Sequence, residues 1–246
     1  MSVRSVFPIL VMTLLILSSC QRNVSDPKPR STSSNLILPL GASRVEGNRP
    51  EYESFRYELW KDLIDNGWDF DFIGTRSDDA TYPTFQGHSF DVDHEGRGGW
   101  TSGQILAGLP DWLNQMGAPD VVLFSSPGGN DALEGMPFDN AVTNVNAIID
   151  LIQNANPNVT ILIEQMAPGA TDLMTGDLAS FFDRMHQEVL MIASGQSDAS
   201  SRVIAVDMFT GFTDDLLADD VHYNEAGAAF IADRYYTAIE GLLESE

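Results

Sequence analysis

The chain has 246 residues, a formal net charge of -23 and a single cysteine. This length suits one large domain with its own core and an N-terminal appendage. The strongly negative charge argues against nucleic acid or an anionic membrane surface as a partner, because one polyanion would have to bind another. A single cysteine also excludes an intrachain disulfide.

Residues 1–19 are typical of a lipoprotein signal peptide. Arg4 precedes the apolar stretch VFPILVMTLLILSSC, which is too short for a comfortable transmembrane helix and ends at Cys20. The last four letters, LSSC, resemble the bacterial lipobox, in which the cysteine is lipidated and becomes the mature N-terminus. We therefore expect a lipid on Cys20. The alternative is an ordinary signal peptide followed by a chance cysteine.

Residues 20–35 comprise this cysteine and a polar segment rich in Pro and Ser, QRNVSDPKPRSTSS over residues 21–34. The segment lacks apolar periodicity and predicts a flexible tether. The expected location is the cell envelope, in the outer membrane if the cell is Gram-negative, with the lipid as the only membrane contact. Without lipidation the protein would be secreted.

Residues 36–246 are predicted to form one domain in which apolar β-type runs alternate with helical patterns. The predicted strands are 36–41, 69–74, 120–126, 159–165 and 202–207. Apolar stripes with helical spacing begin at Phe55, Val142, Leu178 and Ala228. Five nearly continuous apolar strands separated by helices predict a parallel sheet that is covered on both faces.

Ser43 directly follows the first predicted strand, in the sequence LILPLGASRVEG. The chemistry of a parallel sheet gathers at the carboxyl ends of its strands, so this serine is a candidate nucleophile. A helix cap or a turn would also explain a serine at this position. A nucleophilic serine needs a base, a residue that orients the base, and donors for the oxyanion.

His222 is the strongest candidate for the base among four histidines. It lies in ADDVHYNEAG, between the last predicted strand and the last helix, with Asp219 three residues before it. This spacing lets a carboxylate reach Nδ1–H of the ring and leaves Nε2 free. Asn224 is expected to cap the following helix. His186 lies off the apolar stripe of its helix, so we expect it to be a solvated surface residue.

Two further loops offer hydrogen-bond donors. Asn130 follows Gly128 and Gly129 after the third predicted strand, and its side chain could donate to an anion near Ser43. Gly99 could offer a backbone N–H before a helix that is expected to begin near Thr101. The composition of the Asn130 loop is also that of a plain turn.

Together and in this order, four segments resemble the SGNH (GDSL-like) hydrolase family. They are Gly41-Ala42-Ser43, Gly99, Gly128-Gly129-Asn130-Asp131 and Asp219-Asp220-Val221-His222. The stretches LPLGASRVEG, FRYELWKDLIDNGWDFDFIG and HEGRGGWT are especially similar to the carbohydrate-esterase branch.

The resemblance implies a flavodoxin-like three-layer α/β/α sandwich, for which we expect a five-stranded parallel sheet. It also implies a triad in which Ser43 is the nucleophile, His222 the base and Asp219 the residue that orients the base. Gly99 and Asn130, with the Ser43 backbone N–H, would form the oxyanion hole.

Two positions depart from the family pattern. Ala42 stands where the family usually has an aspartate that supports local hydrogen bonds, which puts the support of the nucleophile in doubt. Asp220 replaces a frequent glycine. Either Asp219 or Asp220 could therefore orient the histidine, and the family spacing favours Asp219.

Other motifs are weaker candidates. GHSFD, residues 87–91, resembles a nucleophile elbow around Ser89 but lacks the closing glycine. DVDHEGRGGWTS, residues 91–102, begins like a calcium-binding loop but ends at Ser102 instead of a bidentate glutamate, so we expect no metal. Trp100 could stack on a sugar ring or fill the core.

The expected activity is that of a serine esterase that removes short acyl groups, above all acetyl, from a carbohydrate ester without a cofactor. The acyl group should be short because the sequence sets no apolar lid or long insertion aside for a fatty chain. The expected partner is therefore a small-molecule or glycan ester. The alternatives are a lipid esterase or lysophospholipase, and a surface lipoprotein that binds glycans without catalysis.

Overall fold

The computed structural model describes residues 30–243, which form a sheet of seven strands. Strands β1 (Leu36–Gly41), β5 (Val121–Phe124), β6 (Thr160–Gln165) and β7 (Arg202–Asp207) lie side by side and parallel. Strands β2 (Asp71–Phe72) and β4 (Asp93–Gly96) both pair with the other edge of β1, one near its start and one at its end. Strand β3 (Arg76–Ser77) runs antiparallel to β4.

The predicted flavodoxin-like architecture is confirmed, but the predicted number of strands is wrong. Because β2 and β4 share one edge position, the parallel strands follow the flavodoxin order, with β1 second and β5, β6 and β7 beyond it. Each of the five predicted runs contains a strand, and β3 and β4 are additional. Their sequences, RS and DHEG, contain no apolar run, so periodicity could not reveal them.

Seven α-helices are present in residues 30–243. Their bounds are α1 Ser43–Glu46, α2 Arg56–Asp65, α3 Ser102–Met116, α4 Gly129–Leu133, α5 Phe138–Ala155, α6 Gly176–Gln196 and α7 Glu225–Ile239, with a 3₁₀ turn at Asp214–Leu216. Helices α1 and α4, which closely follow strands, are short. The four predicted apolar stripes lie in α2, α5, α6 and α7, and α3 begins near Thr101 as expected.

Each face of the sheet has its own apolar core. On one face α3, α5 and α6 pack against strand residues such as Leu38 and Phe124. On the other face α2 and α7 cover strand residues such as Ile37 and Leu162. Successive side chains of a strand point to opposite faces, so a strand covered on both faces is apolar at every position. This explains the continuous apolar runs in the sequence.

His186 is buried, so the prediction of a solvated surface residue is wrong. Its ring stacks on Phe209 with a centroid distance of 4.2 Å, and Nε2 lies 2.9 Å from the carbonyl oxygen of Met166. Loops that follow β6 and β7 therefore cover this side of α6. The stripe of a helix shows which face meets the sheet, but it does not show where a loop from elsewhere packs.

A close contact between α1 and β4 sets the position of Ser43. A Cβ atom at Gly96 would lie 2.3 Å from the Glu46 nitrogen, so only glycine allows this approach. A Cβ atom at Gly41 would lie 2.9 Å from both the Ser125 carbonyl oxygen and Val45 Cγ2. The chain consequently turns from β1 into α1 within one residue, and Ser43 begins α1 at the carboxyl edge of the sheet.

Within residues 30–243, no helix is long and apolar enough to cross a membrane. The predicted signal peptide, Cys20 and the tether up to residue 29 lie outside the described residues.

Candidate active site

The candidate residues from the sequence lie in loops or short helices after the carboxyl ends of four strands. Ser43 follows β1, Gly99 follows β4, and Asn130 lies in α4 after β5. Asp219 and His222 lie in the connection between β7 and α7. Parallel strands present their carboxyl ends at one edge, so these positions share one side of the molecule.

Ser43, His222 and Asp219 form a continuous chain of hydrogen-bonding contacts. The Ser43 Oγ lies 2.9 Å from His222 Nε2, and His222 Nδ1 lies 2.8 Å from Asp219 Oδ2. A carboxylate at Nδ1 selects the tautomer with the proton on that nitrogen. The other nitrogen, Nε2, can then accept the Ser43 hydroxyl proton, which is the geometry that activates a serine for attack on a carbonyl carbon.

The short loop before α7 holds Asp219 and His222 in register. Asp219 Oδ1 accepts the backbone N–H groups of Val221 at 2.8 Å and His222 at 2.7 Å. Burial acts to raise the pKa of Asp219, but the hydrogen bonds from the ring and from these two N–H groups outweigh it and hold the pKa below its ordinary value. Asn224 caps α7, as predicted, by accepting the Gly227 N–H at 3.0 Å.

Tyr52 is a residue of the site that the sequence did not indicate. Its ring stacks on His222 with a centroid distance of 3.9 Å and an angle of 13° between the planes. Burial, followed by the negative charges of Glu46 and Asp219, raises the pKa of the phenol, so the hydroxyl keeps its proton. No motif marks Tyr52, because it belongs to an irregular loop that only the fold brings against the histidine.

Three N–H groups are candidates for the oxyanion hole. Asn130 Nδ2 donates one hydrogen to the Trp100 carbonyl oxygen at 2.8 Å, which fixes the amide and leaves its second hydrogen unused by that bond. The backbone N–H groups of Ser43 and Gly99 donate to no acceptor in the described part of the chain. Gly99 has a φ of 77°, which favours glycine.

The Gly99 loop is fastened to α1. The Gly98 N–H donates to Glu46 Oε2 at 2.7 Å, and a Cβ atom at Gly98 would lie 2.4 Å from that oxygen and 3.9 Å from Ser43 Cβ. Glycine at 98 therefore lets the loop approach the candidate nucleophile. Asn130 and Ser43 also line one common pocket.

This pocket, which we call the apolar pocket, lies on one side of Ser43. Its apolar wall consists of Leu133, Met166, Leu173, Met174, Leu178 and Phe182. Its cavity volume is about 30 Å³. These side chains come from α4, from the loop after β6 and from α6. The sequence shows no apolar segment set aside for a fatty chain, and this wall was not visible there because its residues are scattered over three elements.

A second depression, which we call the polar cleft, is lined in part by Tyr52. Its volume is about 470 Å³. Charged and polar side chains line it: Glu46, Asn48, Arg49, Arg76, Asp78 and Asp79. Arg76 pairs with Glu46, and Arg49 pairs with Glu53. Asn48 and Asp79 are exposed and can bind a polar ligand.

The weaker motifs occupy other surroundings. Ser89 lies in an exposed loop, and the supposed start of a calcium loop is strand β4, in which His94 and Glu95 are buried. Within residues 30–243, no group of three or more His, Cys, Asp or Glu side chains could hold a metal ion. Trp100 packs against the core beside Trp112, at a centroid distance of 5.7 Å.

Residues 66–230 match the GDSL-like Lipase/Acylhydrolase family, and this match covers more than half of the chain. The match begins after Ser43 and includes Asp219 and His222. None of the curated proteins matches the chain.

Solved structures of esterases are similar to the whole described fold. A carbohydrate esterase family 3 protein from Talaromyces cellulolyticus is 26% identical, with a TM-score of 0.71 over 84% of this chain and 96% of that chain. A family 3 carbohydrate esterase from Clostridium thermocellum is 27% identical, with a TM-score of 0.66 over 85% and 98%. A mutant acetyl esterase with an acetate ion is 25% identical, with a TM-score of 0.71 over 84% and 96%. The chain therefore belongs to the GDSL-like lipase/acylhydrolase family and is an ester hydrolase of the SGNH type.

Proposed function

We propose that this protein removes acetyl and other short acyl groups from a carbohydrate ester, with Ser43 as nucleophile, His222 as base and Asp219 as the residue that orients the base. The observation that carries the proposal is the 2.9 Å contact between Ser43 Oγ and His222 Nε2 beside a small apolar pocket. The similarity to carbohydrate and acetyl esterases at 25–27% identity supports it.

The proposed reaction has two stages, acylation and deacylation of Ser43. Ser43 Oγ attacks the ester carbonyl carbon while His222 Nε2 takes its proton. The N–H groups of Asn130, Gly99 and Ser43 stabilise the oxyanion that forms. His222 then protonates the departing alcohol and leaves an acyl group on Ser43. A water molecule, deprotonated by His222, releases the acid and restores the serine.

The acyl group is assigned to the apolar pocket. A cavity needs about 10–15 Å³ for one water molecule, whereas an apolar cavity of about 150 Å³ accepts benzene. A pocket of about 30 Å³ therefore suits a methyl group. The apolar lining suits the methyl group, because a methyl group loses no hydrogen bonds when it leaves water.

The alcohol is assigned to the side of His222, because this residue must protonate the leaving oxygen. On that side lie Tyr52 and the polar cleft, which at about 470 Å³ has room for a sugar. Its carboxylates, amide and hydroxyl can accept or donate hydrogen bonds to sugar hydroxyls. The apolar pocket and the polar cleft together support a substrate that is an ester of a small acid with a polar alcohol.

The test measures acetate release from acetylated xylan-type oligosaccharides and turnover of 4-nitrophenyl acetate. Ser43→Ala should lower turnover by at least about 10³-fold and abolish covalent labelling by an organophosphonate, since the triad acts as a unit. Ser89→Ala is the matched control and should keep both. Labelling that persists in Ser43→Ala and is lost in Ser89→Ala would overturn the assignment of the nucleophile.

A lipid esterase is the second candidate, and one observation favours it. Leu133 is 43% exposed at the apolar pocket, and Met136 nearby is 42% exposed, so apolar surface continues outward from the pocket. An acyl chain could lie on this surface. Two results together would select this candidate: a preference for acyl chains of about eight carbons or more, and no release of acetate from a glycan. Each CH₂ of the chain that is buried would contribute about 0.8 kcal/mol to this preference. A wild-type protein that binds glycans but hydrolyses no ester would instead select the non-catalytic alternative.

A further inference from the structure

Arg44, the residue after Ser43, joins the candidate nucleophile to the rest of the site. It is 5% exposed. Its guanidinium donates Nη1–H to the Ala167 carbonyl oxygen at 2.7 Å and Nη2–H to the Pro168 carbonyl oxygen at 2.9 Å. Nε and Nη2 both donate to the Val221 carbonyl oxygen, at 2.9 and 2.7 Å. All of these acceptors are backbone atoms of two loops at the carboxyl edge.

The backbone of Val221 is therefore held at both its N–H and its carbonyl. Its N–H donates to Asp219 and its carbonyl accepts from Arg44. Arg44 adjoins Ser43 in the chain, and Val221 adjoins His222. The contact of Arg44 Nε and Nη2 with the Val221 carbonyl oxygen therefore fixes the distance between the backbone at Ser43 and the backbone at His222. The 2.9 Å contact between the Ser43 and His222 side chains depends on that backbone distance.

The second pair of acceptors connects Arg44 with the acyl side of the site. Ala167 and Pro168 follow β6, and Met166 just before them lines the apolar pocket. The Ala170 N–H, two residues beyond Pro168, donates to the Asp220 carbonyl oxygen at 2.8 Å. One guanidinium thus joins the nucleophile turn, the loop of the base and one wall of the apolar pocket.

The surroundings of Arg44 suit a buried cation. The Tyr223 ring lies 4.7 Å from the guanidinium carbon. The fully buried Glu164 accepts hydrogen bonds from the Tyr235 hydroxyl at 2.7 Å and the Ser126 N–H at 2.8 Å. Burial raises the pKa of Glu164, while these hydrogen bonds and the nearby charge of Arg44 act in the opposite direction. A buried arginine without such partners would be costly.

We infer that Arg44 is a positioning residue that holds Ser43 and His222 at reacting distance. Ala42, the other neighbour of Ser43 in the chain, has no side chain that can form a hydrogen bond. The inference rests on the proposed function only in taking Ser43 and His222 as nucleophile and base. It concerns which residue maintains their geometry.

The test is Arg44→Lys, because an ammonium keeps the charge but cannot donate in a planar fork to three carbonyls. We expect kcat for 4-nitrophenyl acetate to fall about 10- to 100-fold, which is the effect of misplacing a reacting group by about 1 Å. This kcat is expressed per active site, and the active sites are counted by titration with an organophosphonate. KM should stay near the wild-type value, and the rate of phosphonate labelling should fall in parallel with kcat. A residue that only supports folding would lower Tm and the titratable fraction but leave kcat per titrated site unchanged.

Arg234→Lys is the matched control. Arg234 also donates to two backbone carbonyls, of Asp207 at 2.6 Å and Thr210 at 2.7 Å, but these contacts do not involve the candidate triad. Its kcat per titrated site should equal that of the wild type. If Arg44→Lys does not fold, Arg44→Gln takes its place with the same criterion. The inference is overturned if a folded Arg44 variant has the same kcat per titrated site as the wild type. The proposed function, in contrast, is overturned if the wild-type protein itself has no esterase activity.

Discussion

Asn130 is the residue whose role in the reaction can be separated most clearly from a role in binding. Its amide is fixed by the Trp100 carbonyl and lines the same pocket as Ser43. Asn130→Ala should lower kcat about 100- to 1,000-fold, or about 3–4 kcal/mol, as the loss of one oxyanion donor does. KM should change little, because the full negative charge exists only after attack.

Steady-state kinetics with 4-nitrophenyl acetate measure both constants. Asn66→Ala is the control, since Asn66 also donates its amide to a backbone carbonyl, at 2.8 Å, but on the exposed end of α2. Normal kcat with a strongly raised KM in Asn130→Ala would contradict the oxyanion role and identify a residue of the turn or of substrate binding.

Asp219 gives a prediction about stability and pH. Because its folded pKa is lowered, the native protein binds this proton more weakly than the unfolded chain does. The stabilisation is therefore present above the unfolded value of about 3.9 and is lost as the pH falls through the lower folded pKa. The difference in unfolding free energy between wild type and Asp219→Asn should therefore shrink as the pH falls below about 4 and passes through the lowered folded pKa.

Urea unfolding at several pH values in this range measures that difference. Asp220→Asn is the control, because it removes a neighbouring charge without removing the hydrogen bonds to the Asp219 carboxylate. If the difference in unfolding free energy between wild type and Asp219→Asn stays constant down to the lowest pH, these hydrogen bonds do not favour the charged carboxylate.

At the scale of elements, α6 sets the depth of the apolar pocket. Leu178 and Phe182 project from its first turns into the wall. Leu178→Ala should admit longer acyl groups. Two additional methylenes at about 0.8 kcal/mol each would raise kcat/KM for 4-nitrophenyl butyrate relative to acetate by up to about 15-fold.

The measurement is the ratio of the two kcat/KM values in each variant. Leu190→Ala is the control, since Leu190 lies on the same helix but is 46% exposed and does not line the pocket. An unchanged ratio in Leu178→Ala would show that the acyl group binds elsewhere.

The elements also show where prediction from the sequence works. The long helices and β1, β5, β6 and β7 are visible because a sheet covered on both faces imposes long apolar runs and stripes. Strands β3 and β4 are not visible, because their residues are polar and their pairing depends on neighbours distant in the chain. The apolar pocket is hidden for the same reason, since its wall consists of single residues from three elements.

At the scale of the whole molecule, we propose that the domain is attached to a membrane through lipid on Cys20 and faces the envelope space. In a Gram-negative host, Cys20→Ser should move the protein from the membrane to the soluble fraction and abolish incorporation of labelled palmitate. Ser25→Ala, in the predicted tether, is the control and should change neither. A Cys20→Ser protein that is still processed and still partitions with membranes would contradict the lipid anchor.

The sequence alone determined the fold class, the order of the motifs and the candidates Ser43, His222, Asp219, Gly99 and Asn130. It could do so because apolar periodicity is local and because each motif is a short stretch of sequence in a connection that follows a strand.

Only the tertiary structure decided that Asp219, and not Asp220, contacts His222, and that Tyr52 stacks on the same ring. It alone also joined Arg44 to Val221, which is 177 residues away in the chain. Contacts of this kind leave no periodic trace in the sequence. They depend on the distance between two loops, and the packing of the sheet and its helices sets that distance.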